Sequence, residues 1–128
     1  MKSKRSSAVI GVVDDDESIR MGLSSVLRSA DWQVAIYSSA KELIDDTHRS
    51  RLTLVITDVQ MPDLDGFALL RAIRQWECPI PVIFITAYPT AAISDRASDG
   101  GAAGFFSKPV DDERLLALIA KILQPYEN

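Results

Sequence analysis

The chain is poor in the residues that carry several common chemistries. It holds one cysteine, Cys78, and one histidine, His48, in 128 residues. A single thiol makes no internal disulfide and no zinc cluster of the usual kind, and Cys78 beside Pro79 reads as a structural thiol. His48 stands in a charged stretch with no serine or cysteine nucleophile signature near it, so it reads as a surface histidine. No apolar run approaches the roughly 20 residues of a membrane span. Lys2, Lys4 and Arg5 precede only a short apolar stretch that soon meets three aspartates, which is too brief for a signal-peptide core. The expectation is a cytoplasmic protein with no membrane contact. A basic excess is missing too. The net charge is -4, and binding along a phosphate backbone needs a basic face, so no direct nucleic-acid contact is expected of this segment. No GxGxxG follows a strand and no GK[ST] occurs, which removes dinucleotide and P-loop readings.

What the chain does have is a set of short apolar runs that end in polar residues. Ala8 to Val13 (AVIGVV) opens onto Asp14, Asp15 and Asp16, and Leu52 to Thr57 (LTLVIT) closes on Asp58. Pro81 to Ile85 ends at Thr86, and Gly104 to Ser107 ends at Lys108 and Pro109. Each reads as a buried parallel strand, and Gln33 to Tyr37 adds a fifth. Helical spacing fills the intervals. Asp16 caps a helix from Glu17 with Ile19, Leu23, Val26 and Leu27 inward, while Ser39 and Glu42 form a capping box ahead of Ala40, Leu43 and Ile44. Phe67 to Trp76 buries Leu70 and Ile73. Thr90 to Gly101 is a weak helix, rich in Ser and Asp, with Thr90 as its cap. Asp111 starts a strong last helix with Leu115, Leu118, Ile119 and Ile122 on one face, and Leu116 and Leu123 off it, either as an apolar edge or as a widening of the core contact. Strand and helix alternating at these lengths predict an α/β protein, a doubly wound five-stranded parallel sheet with helices on both faces. Residues 1–7 read as a flexible polar tail and 8–124 as one domain; 125–128 are its C-terminal end or the start of a linker.

Ligands of open α/β sheets bind outside the carboxyl ends of the strands. Carboxylates gathered at that edge repel one another unless a cation sits among them, so the pattern predicts a divalent metal beside Asp58. Simpler readings leave residues over. One helix cap needs one oxygen acceptor, and Asp16 suffices for the first helix; Pro62 keeps a helix from starting directly after Asp58. Thr86 is an ordinary strand residue by type, and Lys108 alone an ordinary solvated lysine. The loop Asp63-Leu64-Asp65-Gly66 fails as a calcium loop, because the motif would put Met61 and Ala72 at its first and last ligand positions. Val12 to Ser18 also fits loosely the strand-plus-DxDx[ST] opening of haloacid-dehalogenase-like phosphatases, with Asp14 as nucleophile. That reading gives Asp58 no role and lacks the closing acid pair after an apolar strand.

Four segments in order, VVDDDES (Val12 to Ser18), ITDVQMPDLDG (Ile56 to Gly66), VIFITA (Val82 to Ala87) and GAAGFFSKPVD (Gly101 to Asp111), resemble the receiver domain of two-component response regulators. The resemblance covers residues 8 to 123 and is nearest in style to receivers of FixJ/LuxR-type transcription factors. It implies a flavodoxin-like strand order 2-1-3-4-5, with Asp58 as phosphoryl acceptor. It implies Mg²⁺ or Mn²⁺ held by Asp15, Asp58 and the backbone carbonyl of Gln60, with Asp14 acting through water. Thr86 and Lys108 would contact phosphoryl oxygens, Phe105 would be an aromatic switch beside Thr86, and Gln60 and Tyr88 would tune loss of the phosphoryl group. A cis bond is implied between Lys108 and Pro109. The implied partners are a sensor histidine kinase, a second copy on phosphorylation and an attached helix-turn-helix DNA-binding domain. The chain would catalyse only its own modification and not act as an ordinary enzyme, and the surface of the fourth helix, fifth strand and last helix would carry the output. A phosphorylation-independent interaction module on the same fold is the remaining alternative.

Overall fold

A computed structural model of the chain describes residues 7–124, so the tail read over 1–7, Ser7 apart, and the end read over 125–128 lie outside the described residues. Five strands, β1 (Val9–Val13), β2 (Gln33–Tyr37), β3 (Leu54–Asp58), β4 (Val82–Thr86) and β5 (Gly104–Ser107), form one sheet in the order β2-β1-β3-β4-β5, with every pair parallel. The helices between them are α1 (Glu17–Ser29), α2 (Ala40–Ile44), α3 (Gly66–Arg74), α4 (Ala91–Asp99) and α5 (Asp112–Ile122). β3 and β4 are buried at every residue, as central strands covered on both faces must be, whereas edge strand β2 alternates, with Ala35 and Tyr37 inside. One core packs α2, α3 and α4 on Val13, Val55 and Phe84; the other packs α1 and α5 on Ile10, Ile56, Ile83 and Ile85. The register then aligns the strand ends. Val13 pairs with Tyr37 and Thr57, Asp58 with Ile85, and Thr86 with Ser107.

Several elements depart from the sequence expectation. β1 starts at Val9, and β3 runs from Leu54 to Asp58, because a tight turn at Arg49–Arg51 takes up the chain before Leu52. α3 begins at Gly66 under an Asp65 cap, whose Oδ1 accepts from Ala68 N at 2.8 Å, and it stops at Arg74, short of Trp76. On α1 Leu23 and Leu27 are buried as expected, while Ile19 and Val26 are only half-buried and Ser24 fills the remaining inward position. Beyond its Thr90 cap, α4 is a complete helix that buries only Ala97, and Arg96 lies over the Phe67 ring at 4.1 Å. On α5 the inward stripe is Leu115, Ile119 and Leu123, steps of four that keep one face of a helix. Of the two places open to Leu123, an outer apolar edge or a wider core contact, the structure has the second; Leu116, Leu118 and Ile122 pack partly buried around it.

Gly66 fixes how closely α3 approaches the end of β3. A Cβ there would lie 2.5 Å from the Asp58 carbonyl oxygen and 3.1 Å from Val59 Cα, while Gly66 N–H already donates to Val59 O at 2.9 Å. Both contacts are with backbone, which yields less readily than a flexible side chain. Gly66→Ala is expected to destabilise the fold by about 1–3 kcal/mol, and to disturb whatever the end of β3 holds. Denaturant unfolding and metal titration of the variant check this; full stability would show that the strand end has slack.

Candidate functional site

The carboxyl edge of β1 and β3 brings three acids together. Asp14 directly follows β1, is fully buried, and has its N–H tied to Tyr37 O at 3.2 Å. Asp58 ends β3 and is 5% exposed; Asp15 is exposed at the surface above them. Carboxylate oxygens of Asp14, Asp15 and Asp58 lie within 4.8 Å of one another. From the β5–α5 connection Lys108 reaches in, its Nζ 3.0 Å from Asp14 Oδ2 and 3.3 Å from Asp58 Oδ2. The Lys108–Pro109 peptide bond is cis. Asp14 Oδ1 accepts from Asp16 N at 2.9 Å, which spends that oxygen on the turn into α1. Asp16 in turn caps α1, so the second acid of a DxDx[ST] phosphatase opening is a helix cap here.

Burial pushes the Asp58 carboxyl pKa upward, and the charge of Asp14 pushes the same way, against Lys108 and the Gln60 backbone N–H. Burial alone would push the Lys108 pKa down, but Asp14 and Asp58 more than offset it and leave it above 10.5. Asp58 Oδ1 is buried without a hydrogen-bond partner. A buried, negatively charged oxygen with no donor, next to a second acid and an exposed third, is a fitting ligand for a small hard cation. The residues therefore fit the divalent metal that the sequence implies.

Thr86 ends β4, fully buried; its hydroxyl donates to Gln60 Oε1 at 2.6 Å and accepts from Tyr88 N at 3.0 Å. Tyr88 itself is 66% exposed. Phe105 is half-buried on β5, in register with Phe84, and packs towards α3 and α4 on the face of the sheet that Thr86 shares. Three contributors were missed in the sequence: Asp65 as a cap, Gly66 as a close-approach residue, and Arg20, which donates to the Asp14 carbonyl at 2.7 Å. An aspartate directly before a helical run was a readable sign of the first. Arg20 sits one turn into α1 after the acid run, a weaker sign.

The family profile of the response regulator receiver domain matches residues 10–120, and the chain belongs to that family. It is 35% identical over 118 residues to the response regulator protein TodT of Pseudomonas putida, covering 92% of this chain and 52% of TodT. It is 32% identical over 118 residues to the transcriptional regulatory protein FixJ of Bradyrhizobium diazoefficiens, covering 92% of this chain and 58% of FixJ. The crystal structure of FixJ-N superposes with a TM-score of 0.81 at 27% identity, over 91% of this chain and 94% of that one. The chain thus spans about half the length of the curated relatives it matches.

The raised Asp58 carboxyl has a testable sign. Its folded state holds the proton more tightly than the unfolded chain, so stability attributable to Asp58 falls as pH rises from the ordinary carboxylate range through the raised value. Lys108, also raised, acts in the same direction but in a far more alkaline window: its contribution is intact at neutral pH and is lost only as pH climbs through its own raised value. Without metal, Asp58→Asn is expected to raise the melting temperature at neutral pH, with the gain shrinking towards about pH 4. A gain independent of pH would show that charge at Asp58 is not the cause.

Proposed function

We propose that the chain takes a phosphoryl group onto Asp58 from a phosphohistidine of a sensor histidine kinase, in a reaction that needs Mg²⁺ or Mn²⁺. The observation that carries this reading is the buried, unpartnered Asp58 Oδ1 set between acids and an ammonium at the end of the central strand. Asp15, Asp58 and the Gln60 backbone carbonyl would hold the metal, with Asp14 acting through water. When bound, the ion supplies positive charge to oxygens of the transferring group.

The chain's own residues do the rest. Asp58 attacks phosphorus in line with the leaving imidazole; the P–N bond breaks with its electron pair returning to the ring nitrogen, and a P–O bond forms an acyl phosphate. Lys108, already 3.3 Å from Asp58, needs little movement to meet a phosphoryl oxygen, and preorganised charge of this kind acts without reorganisation during the step. Thr86 donates its hydroxyl to another oxygen, and Tyr88 and Gln60 at the mouth govern how water reaches the product. The chain modifies itself and turns over no separate substrate.

The output reading rests on the switch. Movement of Thr86 towards the phosphoryl group opens space beside Phe105, and the ring's burial changes the surface of α4, β5 and α5. α4 buries one residue and is held by few core contacts, which suits a segment that shifts at small cost. Leu118 packs over β5 so closely that a Cβ at Gly104 would lie 2.4 Å from its Cδ2, which sets a half-buried apolar side chain of α5 beside that strand. Self-association, or docking to a helix-turn-helix domain that controls transcription, would use this surface, and the name of the FixJ relative supports the latter.

Incubation with acetyl phosphate and Mg²⁺ is expected to add a single phosphoryl mass, retained on wild type and absent from Asp58→Asn, which stays folded because the change is nearly isosteric. Equal labelling of the variant would reassign the nucleophile, and no labelling would favour a phosphorylation-independent module. Beryllofluoride, a phosphoryl mimic, is expected to move amide signals of residues 90–123 more than those of 33–51 and to increase the sedimentation coefficient. Changes confined to the acid loops would place the output elsewhere.

A further inference from the structure

Thr86 is fully buried, and its hydroxyl carries one proton. That proton is committed: it points at Gln60 Oε1 across 2.6 Å, within the range of a good O–H···O bond, while the Tyr88 N–H occupies a lone pair of the same oxygen. The phosphoryl contact required of Thr86 uses the same proton, so the two bonds exclude each other. Gln60 also stands two residues after Asp58, which ends β3, so one residue lies between the nucleophile and the hydroxyl. Its side chain is half-buried at the rim of the groove formed with Met61, Pro62, Phe67 and Arg96, where water can take over its amide once Thr86 leaves.

We propose that the Gln60 side chain is a positioning residue that latches Thr86: it holds the hydroxyl proton in the unphosphorylated state and competes with the phosphoryl group on Asp58 for it. This rests on the reading of Asp58 and Thr86 given under Proposed function. A hydrogen bond to a charged phosphoryl oxygen is stronger than one to a neutral amide, so phosphorylation breaks the latch, and the strength of the latch sets how much of the switch free energy is spent doing so. Removing the Gln60 acceptor is therefore expected to favour the phosphoryl-bound state. It should do so only while Thr86 has a hydroxyl.

The test is a double-mutant cycle on Gln60→Met, which keeps length and loses the acceptor, and Thr86→Val, which keeps shape and loses the hydroxyl. Beryllofluoride affinity in the presence of Mg²⁺ is read by calorimetry on wild type, both single variants and the double variant, with a thermal melt confirming that each is folded. Gln60→Met is expected to bind several-fold to about tenfold more tightly than wild type, and to give no gain on the Thr86→Val background. Gln60→Asn, too short to reach the hydroxyl but still an amide, should behave as Gln60→Met does. An equal gain on both backgrounds, or none on wild type, overturns the latch while leaving the Asp58 site intact. Failure of wild type to bind, or undiminished binding by Asp58→Asn, overturns the site reading itself and the latch with it.

Discussion

Asp14 and Asp58 are both taken out of water within reach of each other, and the ammonium of Lys108, 3.0 Å from one and 3.3 Å from the other, is the cation between them. Two buried carboxylates with no positive charge would neutralise by taking up protons, because ionisation of one opposes that of the other and burial opposes both. Lys108 allows the pair to remain charged, at the expense of its own hydration. Much of the architecture serves to bring these groups together. Parallel register sets the ends of β1 and β3 side by side, Gly66 lets α3 press against the last residue of β3, and Arg20 anchors the carbonyl of Asp14.

The same arrangement suits the proposed switch better than it would a static salt bridge. Lys108 shares itself between two acids, so neither is fully satisfied, and Asp58 keeps a buried oxygen without a donor. An incoming cation or phosphoryl group finds charges already aligned and one acceptor free. At the other side of the cluster Thr86 and Gln60 hold each other, so the hydroxyl has a resting position to leave. Because β4 and β5 are paired in register from Ile83 to Thr86, a displacement of Thr86 in the proposed switch would be felt along β5, where Phe105 packs towards a lightly packed α4.

Much of this was legible in the sequence because parallel strands buried on both faces leave continuous apolar runs, and the residue that ends each run stands out. Asp14, Asp58, Thr86 and Lys108 are all of that kind; Asp14, Asp58 and Lys108 meet, and Thr86 ends the strand next to β3. The strand order and the pairing of each strand end with a chemical role came from the motif resemblance and not from periodicity. What stayed hidden depended on contacts across the fold. Leu123 was not hidden in this way: its steps of four from Leu115 and Ile119 already point it to the core face, where the structure has it. α4 looked marginal because its propensity is poor; its Thr90 cap was readable, but the Arg96–Phe67 stack that adds to it joins two helices and was not. The Gln60–Thr86 bond joins residues 26 apart and has no local signal at all.

The account stands on Lys108 being the resident cation of a cluster that otherwise demands one. The direct measurement is the melting temperature of Lys108→Met and wild type, each with and without Mg²⁺, at neutral pH. Without metal the variant should melt below wild type, and Mg²⁺ should raise it by the larger increment, since binding to the folded form alone stabilises by mass action and relieves more repulsion where the lysine is gone. Equal melting temperatures without metal, with equal increments on adding it, would contradict the account.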